Sequence, residues 1–343
     1  NDLSRLTPVP AISTFLRRAS LLAALVLVIG VLFEVAMRWY GGSEAAPVFQ
    51  QLFTQHPAIG HIPRPGASTR YVTPEFATDI AINAQGVRGR DIGPRLPNER
   101  RIVILGDSLV LSVQVPLEET FAAQLEARLN ARHDGTTYRV INAGVQGYGP
   151  VEEYLFFEHI VAPLEPDLVL ISVFAANDAI EAIDSEYKLD PNRTAAERAR
   201  DEAIGTARRT TRRSMVLQNL RQRLDTIRGR LADAPVAQRP LMTYLTDPPP
   251  DVARGLALSR DLFGRIADRA RAGGATTAFV LMPARFQLED VDFAFLRAMV
   301  ESYGGTIERD AGTTRFADAL QPLGLPTLDL LPVLKADPDP ESL

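Results

Sequence analysis

From Arg101 onward, short apolar segments alternate with longer amphipathic ones. The apolar segments have the length and residue types of buried strands, and the amphipathic ones have the spacing of surface helices. The apolar segments are RIVILGD (101–107), YRVINAG (138–144), PDLVLISVFAAND (166–178), TTAFVLMP (276–283) and, as a candidate fifth strand, PTLDLLPVL (326–334). Strands separated by helices are joined by right-handed crossovers and form a parallel sheet that helices cover on both faces. The pattern therefore predicts an α/β fold.

The bulk properties exclude several classes of protein. The 343 residues are enough for a sizeable core, and the net charge of -5 gives no reason to expect a nucleic-acid partner. Cysteine is absent from the sequence. Disulfides, thiol catalysis and cysteine-ligated zinc or iron–sulfur sites are therefore excluded.

Residues 19–37 form an apolar run that contains one charged residue, Glu34. Its length matches the hydrocarbon thickness of a bilayer, and the run ends in Arg38-Trp39-Tyr40, which is typical of an interfacial anchor. A cleaved secretory signal is the alternative, although its apolar region is usually shorter and ends at a small-residue cleavage site. We predict an uncleaved transmembrane helix at residues 19–40.

The charges that flank this helix predict its orientation. Arg5, Arg17 and Arg18 precede it, whereas only Arg38 follows it closely. The positive-inside rule then makes residues 1–18 a cytoplasmic tail. The expected location is the bacterial inner membrane, with everything after Tyr40 in the periplasm.

Glu34 has two interpretations. It lies within one turn of the outer interface and can pair with Arg38 four residues later. Alternatively, it contacts another membrane subunit, because charges within membrane helices often mark functional sites.

The remainder divides into two parts. Residues 41–100, the leading segment, are rich in glycine and proline and are expected to lie extended on the main domain, which spans residues 101–343. An arginine-rich helical insertion is predicted at residues 183–253. It is either a basic cap or surface for anionic partners, or a solvated helical pair.

Three of the predicted strands end in polar and glycine-rich groups. The first ends in Gly106-Asp107-Ser108, the second continues to Gly147, and the third ends in Asn177-Asp178. Open parallel sheets bind ligands at the carboxyl ends of their strands, so these groups should converge on one edge. Each also has a structural interpretation: Ser108 as a helix N-cap, Gly147 as a left-handed turn residue, and Asn177-Asp178 as an Asx turn.

These blocks resemble a known family. Gly106-Asp107-Ser108-Leu109, NAGVQGYG (142–149) and AAND (175–178), in this order and each after a strand, resemble the first three sequence blocks of the SGNH, or GDSL, hydrolase superfamily. The spacers are similar to those of its membrane-anchored, extracytoplasmic members, and INAQGVRGRD (82–91) resembles their N-x-x-G-x-R segment. The resemblance implies a flavodoxin-like, three-layer parallel sheet.

The resemblance also implies roles for three residues. Ser108 would be the nucleophile. Its own backbone N–H, that of Gly147 and the side-chain amide of Asn177 would form the oxyanion hole. A hydroxyl at a strand-to-helix turn is exposed, as a nucleophile must be. A side-chain amide donates hydrogen bonds without needing a particular ionisation state, which suits an oxyanion hole. No metal and no organic cofactor are implied.

The fourth block of that superfamily, Asp-x-x-His, is not found. The histidines are His56, His61, His133 and His159, and LDLLPVLKADPDPESL (328–343) resembles the sequence just upstream of that block. Either the histidine is encoded beyond Leu343, or the protein lacks the base and keeps the fold as a scaffold. His159 is predicted inside a helix remote from the strand ends, and Asp329 at the end of the last strand.

Two functions are therefore expected. The first is a membrane-anchored serine esterase or O-acyltransferase that acts on acyl esters, such as acetylated envelope polysaccharide. The second is a catalytically inactive accessory subunit of a larger membrane complex, docked through its helix and Glu34; an energy-transducing or photosynthetic assembly is one example.

Overall fold

The computed structural model describes residues 45–192, 241–302 and 304–337, together with the isolated positions 28, 194, 197 and 200. The predicted transmembrane helix at residues 19–40 and the arginine-rich centre of the insertion lie outside the described residues, apart from these isolated positions. No helix within the described ranges has the length and hydropathy that crossing a membrane requires.

The leading segment contains one helix and two small antiparallel hairpins. Helix α1 spans Ala45–Leu52, strands β1 (Phe53–His56) and β2 (Gly60–Pro63) form the first hairpin, and β3 (Ser68–Val72) and β4 (Ala77–Ala81) form the second. Val48 and Leu52 of α1 pack with Ile80 of β4 and with Leu111 of the main domain. The leading segment therefore has its own elements and is attached to the domain by a small apolar core.

Five parallel strands form the central sheet of the main domain. They are β5 (Glu99–Gly106), β6 (Thr137–Gly144), β7 (Leu168–Phe174), β8 (Thr276–Met282) and β9 (Thr327–Asp329). Their spatial order is β6-β5-β7-β8-β9. This is the flavodoxin-like order 2-1-3-4-5, in which a topological switch point lies beside the first strand of the sheet.

Nine helices of the described residues connect or follow these strands. They are α2 (Ser108–Leu111), α3 (Phe121–Asn130), α4 (Pro150–Phe156), α5 (Asp178–Ser185), α6 (Pro250–Ala272), α7 (Arg285–Leu288), α8 (Asp290–Glu301), α9 (Ala311–Leu320) and α10 (Leu331–Lys335).

The side chains of the strands alternate between two apolar layers. Val103 and Leu105 of β5 face a large cluster that contains Phe263 of α6, whereas Ile104 faces Ala122 of α3 in a smaller cluster. Because successive side chains of a strand point to opposite faces, one sheet is covered on both sides. The predicted α/β class and three-layer arrangement are thus observed.

Three local predictions need correction. The candidate strand at residues 326–334 is a strand only for Thr327–Asp329, because Asp329 Oδ1 accepts from Leu331 N (2.9 Å) and Pro332 occupies the first turn of α10. The insertion predicted to extend to residue 253 ends earlier, because α6 begins at Pro250 and proline favours the first turn of a helix. Helix α9 was not predicted.

Candidate active site

The three sequence blocks lie at the ends of three adjacent strands. Ser108 follows β5 by two residues, Gly147 follows β6 by three, and Asn177 follows β7 by three. Strand β5 is central among them and pairs in parallel with both neighbours. Parallel neighbours lie about 4.8 Å apart, so the three blocks meet at one edge of the sheet.

Hydrogen bonds connect these blocks directly. Val145 N donates to Gly106 O (3.1 Å), which connects the exit of β6 to the exit of β5. The Asn177 side chain lies beside the carboxyl of Asp107, the residue before Ser108, and acts to lower its pKa. The first block therefore contacts both of the others.

Ser108 begins the four-residue helix α2. The capping role considered for Ser108 belongs to Asp107, whose Oδ1 accepts from Leu109 N (2.8 Å). Within the described part of the chain, no group forms a hydrogen bond with the Ser108 hydroxyl, and the residue is half-buried. The turn thus presents a partly exposed hydroxyl at the sheet edge.

Two glycines allow α2 to pack closely on the sheet. A Cβ atom at Gly144 would lie 2.2 Å from Leu111 N, and one at Gly106 would lie 2.5 Å from Val110 Cγ2. Asn142 supports the same contact, because its Nδ2 donates to Val110 O (2.7 Å). The position of Ser108 therefore depends on Gly106 of β5 and Gly144 of β6, because α2 occupies the space that a Cβ atom would fill.

Arg88 of the leading segment holds the other end of α2. This buried guanidinium donates to three carbonyls: Leu111 O (2.6 Å), Val115 O (2.7 Å) and Ser112 O. Burial lowers the pKa of Arg88 to about 10, so the group is charged at neutral pH. Charge-assisted bonds to backbone carbonyls stabilise the short helix where it ends.

Arg88→Lys should therefore lower the free energy of unfolding by about 1–3 kcal/mol, because an ammonium cannot reach three carbonyls that a planar fork spans. Urea unfolding followed by circular dichroism measures the change. Arg90→Lys is the matched control. Arg90 is exposed, and it forms an ion pair of 3.6 Å with the exposed Glu118. Equal midpoints for the Arg88 variant and the wild type would exclude this role.

Gly147 lies in the turn that follows β6. Its φ is +70°, and no atom lies within 4 Å of the position that a Cβ would occupy. Among the described residues, nothing accepts a hydrogen bond from its N–H. The left-handed turn considered for Gly147 is observed, and the same geometry leaves its N–H available to a ligand.

Asn177 precedes α5 without capping it through its side chain. Its side chain lies instead beside the carboxyls of Asp107 and Glu181 and opposes the rise in their pKa values. The turn at the end of β7 is closed by Asp178, whose Oδ2 accepts from Phe174 N (2.8 Å). The Asp178 carboxyl therefore bonds back to the end of β7, so it does not form the Asx turn considered for this position, in which the bond goes to the N–H two residues later. The Asn177 side chain lies among acidic groups of the site.

Three carboxyl groups, Asp107, Glu153 and Asp178, are buried beside these loops, and the half-buried Glu181 lies next to them. Burial, together with mutual repulsion, raises the pKa of Glu153 and of Asp178 well above the ordinary range. Burial also raises the pKa of Asp107, against hydrogen bonds that lower it. At least some of these carboxyls are therefore protonated in the folded protein near neutral pH, since like charges cannot all be ionised in a buried cluster.

Glu181 provides a pH-dependent test of this cluster. Burial first, and then the neighbouring acids, raise its pKa from 4.5 to about 7. The folded state then binds more protons than the unfolded state between these two values. Stability from this group is complete below about pH 4.5 and is lost as the pH rises towards 7.

Glu181→Gln should therefore raise the free energy of unfolding at pH 8 by on the order of 2 kcal/mol and flatten its dependence between pH 5 and 7. Denaturant unfolding at several pH values measures both effects. Glu186→Gln is the control, since Glu186 forms only an exposed ion pair with Arg254. A variant with the same pH slope as the wild type would contradict the buried-acid interpretation.

Two further residues considered in the sequence lie in other surroundings. His159 lies in a π-helical turn, Phe157–Val161, and its ring is 5.3 Å from that of His56 on β1. Asp329 ends β9 and accepts from the backbone of α10. Within the described ranges, neither forms a hydrogen bond or a ring contact with Ser108, Gly147 or Asn177.

A cavity of about 550 Å³ lies elsewhere, between residues 83–92 of the leading segment, α3 and β6. None of the three candidate residues lines it. The chemistry expected from the sheet edge is therefore separate from this cavity.

Sequence reasoning did not identify the groups that support the candidate residues. Arg88 is the arginine of the N-x-x-G-x-R segment, which was a signal of similarity but not of a contact with α2. Glu153 stands in the apolar stretch VEEYLFF (151–157), where an acid on a buried helix face was a further signal. Both roles depend on contacts between distant parts of the chain.

Comparison with known proteins gives one family match and several similar solved structures. Residues 104–298, more than half of the chain, match the model of the GDSL-like Lipase/Acylhydrolase family. A lipase/acylhydrolase from Enterococcus faecalis is 15% identical over 71% of this chain and 82% of its own, with a TM-score of 0.36. AlinE4, an esterase of the SGNH-hydrolase family, is 14% identical over 71% of this chain and 84% of its own, with a TM-score of 0.36. No curated protein sequence matches the chain.

Proposed function

The chain belongs to the GDSL-like lipase/acylhydrolase family, and from that premise we propose that it hydrolyses or transfers small acyl esters with Ser108 as the nucleophile. One observation carries the proposal. The Ser108 hydroxyl lies just after the end of β5, between the loop that carries Gly147 and the loop that carries Asn177. Both loops contain amide N–H groups. A nucleophile flanked by donors is the arrangement that acyl transfer requires.

The proposed reaction has two halves. Ser108 Oγ attacks the acyl carbonyl and loses its proton to a base, while the N–H groups of Ser108 and Gly147 and the Asn177 amide stabilise the oxyanion. The alcohol leaves with a proton returned by the same base, and water or an acceptor hydroxyl then releases the acyl group from Ser108. The base is proposed to be the histidine of an Asp-x-x-His block.

The Asn177 amide has a special place in this scheme. Its side chain lies beside two carboxyls, those of Asp107 and Glu181. Protonation of these acids, which their raised pKa values favour, removes negative charge from beside the oxyanion. We therefore propose that the neutral acids leave the amide free to turn towards the substrate.

We further propose that residues 19–40 anchor the protein in the inner membrane and place the domain in the periplasm, where acetylated envelope polysaccharide is a candidate substrate. The support is the sequence: the apolar run and the arginines before it. Membrane fractions washed with carbonate should retain the protein. Protease should digest the domain in spheroplasts but not in intact cells, and digestion in neither would exclude the periplasmic location.

A second candidate function is a non-catalytic accessory subunit of a membrane complex. The observation that favours it is the acidic surroundings of Asn177, since ionised carboxylates beside an amide donor oppose the formation of an oxyanion there. Purification in mild detergent should then recover the protein with partner subunits. A clean monomer with esterase activity would exclude this alternative.

The labelling of Ser108 by a fluorophosphonate tests the proposed function. The full-length protein in mild detergent should be labelled, and mass spectrometry should locate the adduct on Ser108. Labelling that is absent, or that is unchanged in Ser108→Ala, would rule out an activated serine at this position.

A further inference from the structure

His61 of the leading segment contacts the loop that carries Gly147. His61 Nε2 lies 2.8 Å from the carbonyl oxygen of Gln146. In the opposite direction, the Tyr148 hydroxyl donates to the carbonyl of His61 (2.6 Å). Strand β2 and the loop after β6 are therefore joined by two hydrogen bonds across 85 or more residues of sequence.

The imidazole of His61 is held between two aromatic rings. Phe53 packs against it at 5.4 Å with perpendicular planes, and Tyr148 packs against it at 5.3 Å in an edge-on arrangement. Tyr148 is fully buried. Burial also raises the pKa of its hydroxyl well above the ordinary value, so it stays a donor. These contacts fix where Nε2 points.

The carbonyl of Gln146 and the N–H of Gly147 belong to the same trans peptide group, in which they point in opposite directions. A hydrogen-bond donor that binds the Gln146 carbonyl therefore determines the direction in which the Gly147 N–H points. This peptide is also the central one of a turn closed by Tyr148 N and Val145 O (3.4 Å), with φ of +70° at Gly147. Central peptides of such turns can rotate between two orientations when glycine follows them.

We propose that His61 is a positioning residue of the oxyanion hole: its Nε2–H donates to the Gln146 carbonyl and so directs the Gly147 N–H towards the acyl oxygen. The inference rests on the proposed function for its catalytic consequence. The orientation of the peptide itself is a separate, measurable property. Since Gly147 is exposed and nothing else among the described residues binds its N–H, the bond from His61 is what selects the orientation.

Kinetics of the full-length protein with p-nitrophenyl acetate test the catalytic part. His61→Leu should lower kcat about tenfold with KM changed less than about twofold, because the donor is used in the transition state. His61→Gln, which keeps a side-chain N–H of similar reach, should stay within about threefold of the wild-type kcat. His56→Leu is the matched control: His56 accepts from Ala58 N and Ile59 N in the same hairpin and has no bond to Gln146.

Selective labelling tests the orientation independently of activity. With ¹³C-carbonyl glutamine and ¹⁵N-glycine, carbonyl–amide correlation spectra report only Gln–Gly peptides, which in this sequence are 85–86 and 146–147. His61→Leu should shift the 146–147 signal and leave 85–86 in place. His61→Gln should return the 146–147 signal towards its wild-type position.

The outcomes separate the two ideas. Loss of kcat in His61→Leu, its recovery in His61→Gln and a shift confined to the 146–147 signal would support the proposal. A wild-type kcat in His61→Leu, or an equal loss in both variants with the 146–147 signal unmoved, would overturn it. If Ser108→Ala keeps the full rate, the proposed function fails, and the labelled signals alone then decide whether His61 orients the peptide.

Discussion

Ser108→Ala should lower kcat/KM for p-nitrophenyl acetate by at least about 10³-fold, because the acyl group then has no hydroxyl to accept it. The donors of the candidate oxyanion hole remain in the variant, so a residual rate above that of water is expected. The measurement is steady-state hydrolysis by the full-length protein, with the thermal unfolding midpoint recorded in parallel. The midpoint should change little, since the Ser108 hydroxyl has no hydrogen-bond partner among the described residues.

Ser112→Gly is the matched control for this variant. Ser112 also carries a hydroxyl on the turn that follows α2, but it donates to Leu109 O (2.6 Å) and has a φ of 53°, which glycine adopts without strain. Its rate should stay within about threefold of the wild type, since only a local hydrogen bond is lost. If both serine variants lose activity equally, the effect is structural and Ser108 is not the nucleophile.

Gly144→Ala should destabilise the protein by about 3 kcal/mol or more and abolish activity together with stability. A Cβ at this position would lie 2.2 Å from Leu111 N and 2.5 Å from the carbonyl carbon of Val110, so the backbone of α2 would have to move away from β6. Overpacking against backbone costs more than overpacking against side chains that can rotate. Denaturant unfolding measures the loss, and the residual activity of the folded fraction shows whether Ser108 has been displaced.

Gly93→Ala provides the comparison for Gly144→Ala. No atom lies within 4 Å of the Cβ position at Gly93. This substitution should be neutral or slightly stabilising, because alanine lowers the conformational entropy of the unfolded chain. Equal stability of the two alanine variants would mean that α2 is not packed as closely on β6 as the structure indicates.

The place of the candidate residues was predictable because it follows from local pattern and one general rule. The apolar strands before Ser108, Gly147 and Asn177 are recognisable in short windows, and parallel strands bring their carboxyl ends to the same edge. The order 2-1-3-4-5 adds that β5 lies between β6 and β7. The positions of the three blocks at strand ends were therefore enough to predict that the blocks lie close together.

The weaker predictions failed where local pattern was ambiguous. The run at residues 326–334 is apolar enough for a strand, yet Asp329 and Pro332 end it after three residues. Three consecutive prolines, residues 248–250, lead into α6, and such a run is also typical of an extended linker. In both cases a proline or a local side-chain-to-backbone bond sets the boundary, and the apolar periodicity of the segment does not show where it falls.

The sequence by itself determined the α/β class, the parallel sheet and the edge where a serine, a glycine and an asparagine meet, because strand periodicity and strand-end residues are local properties. Only the tertiary structure decided what holds that edge in place. Arg88 reaches α2 across 23 residues, His61 reaches Gln146 across 85, and acids from the end of β5, from α4 and from α5 lie close enough to repel one another. The free energy of such groups depends on burial and on neighbours that are distant along the chain, and no short window of sequence records those.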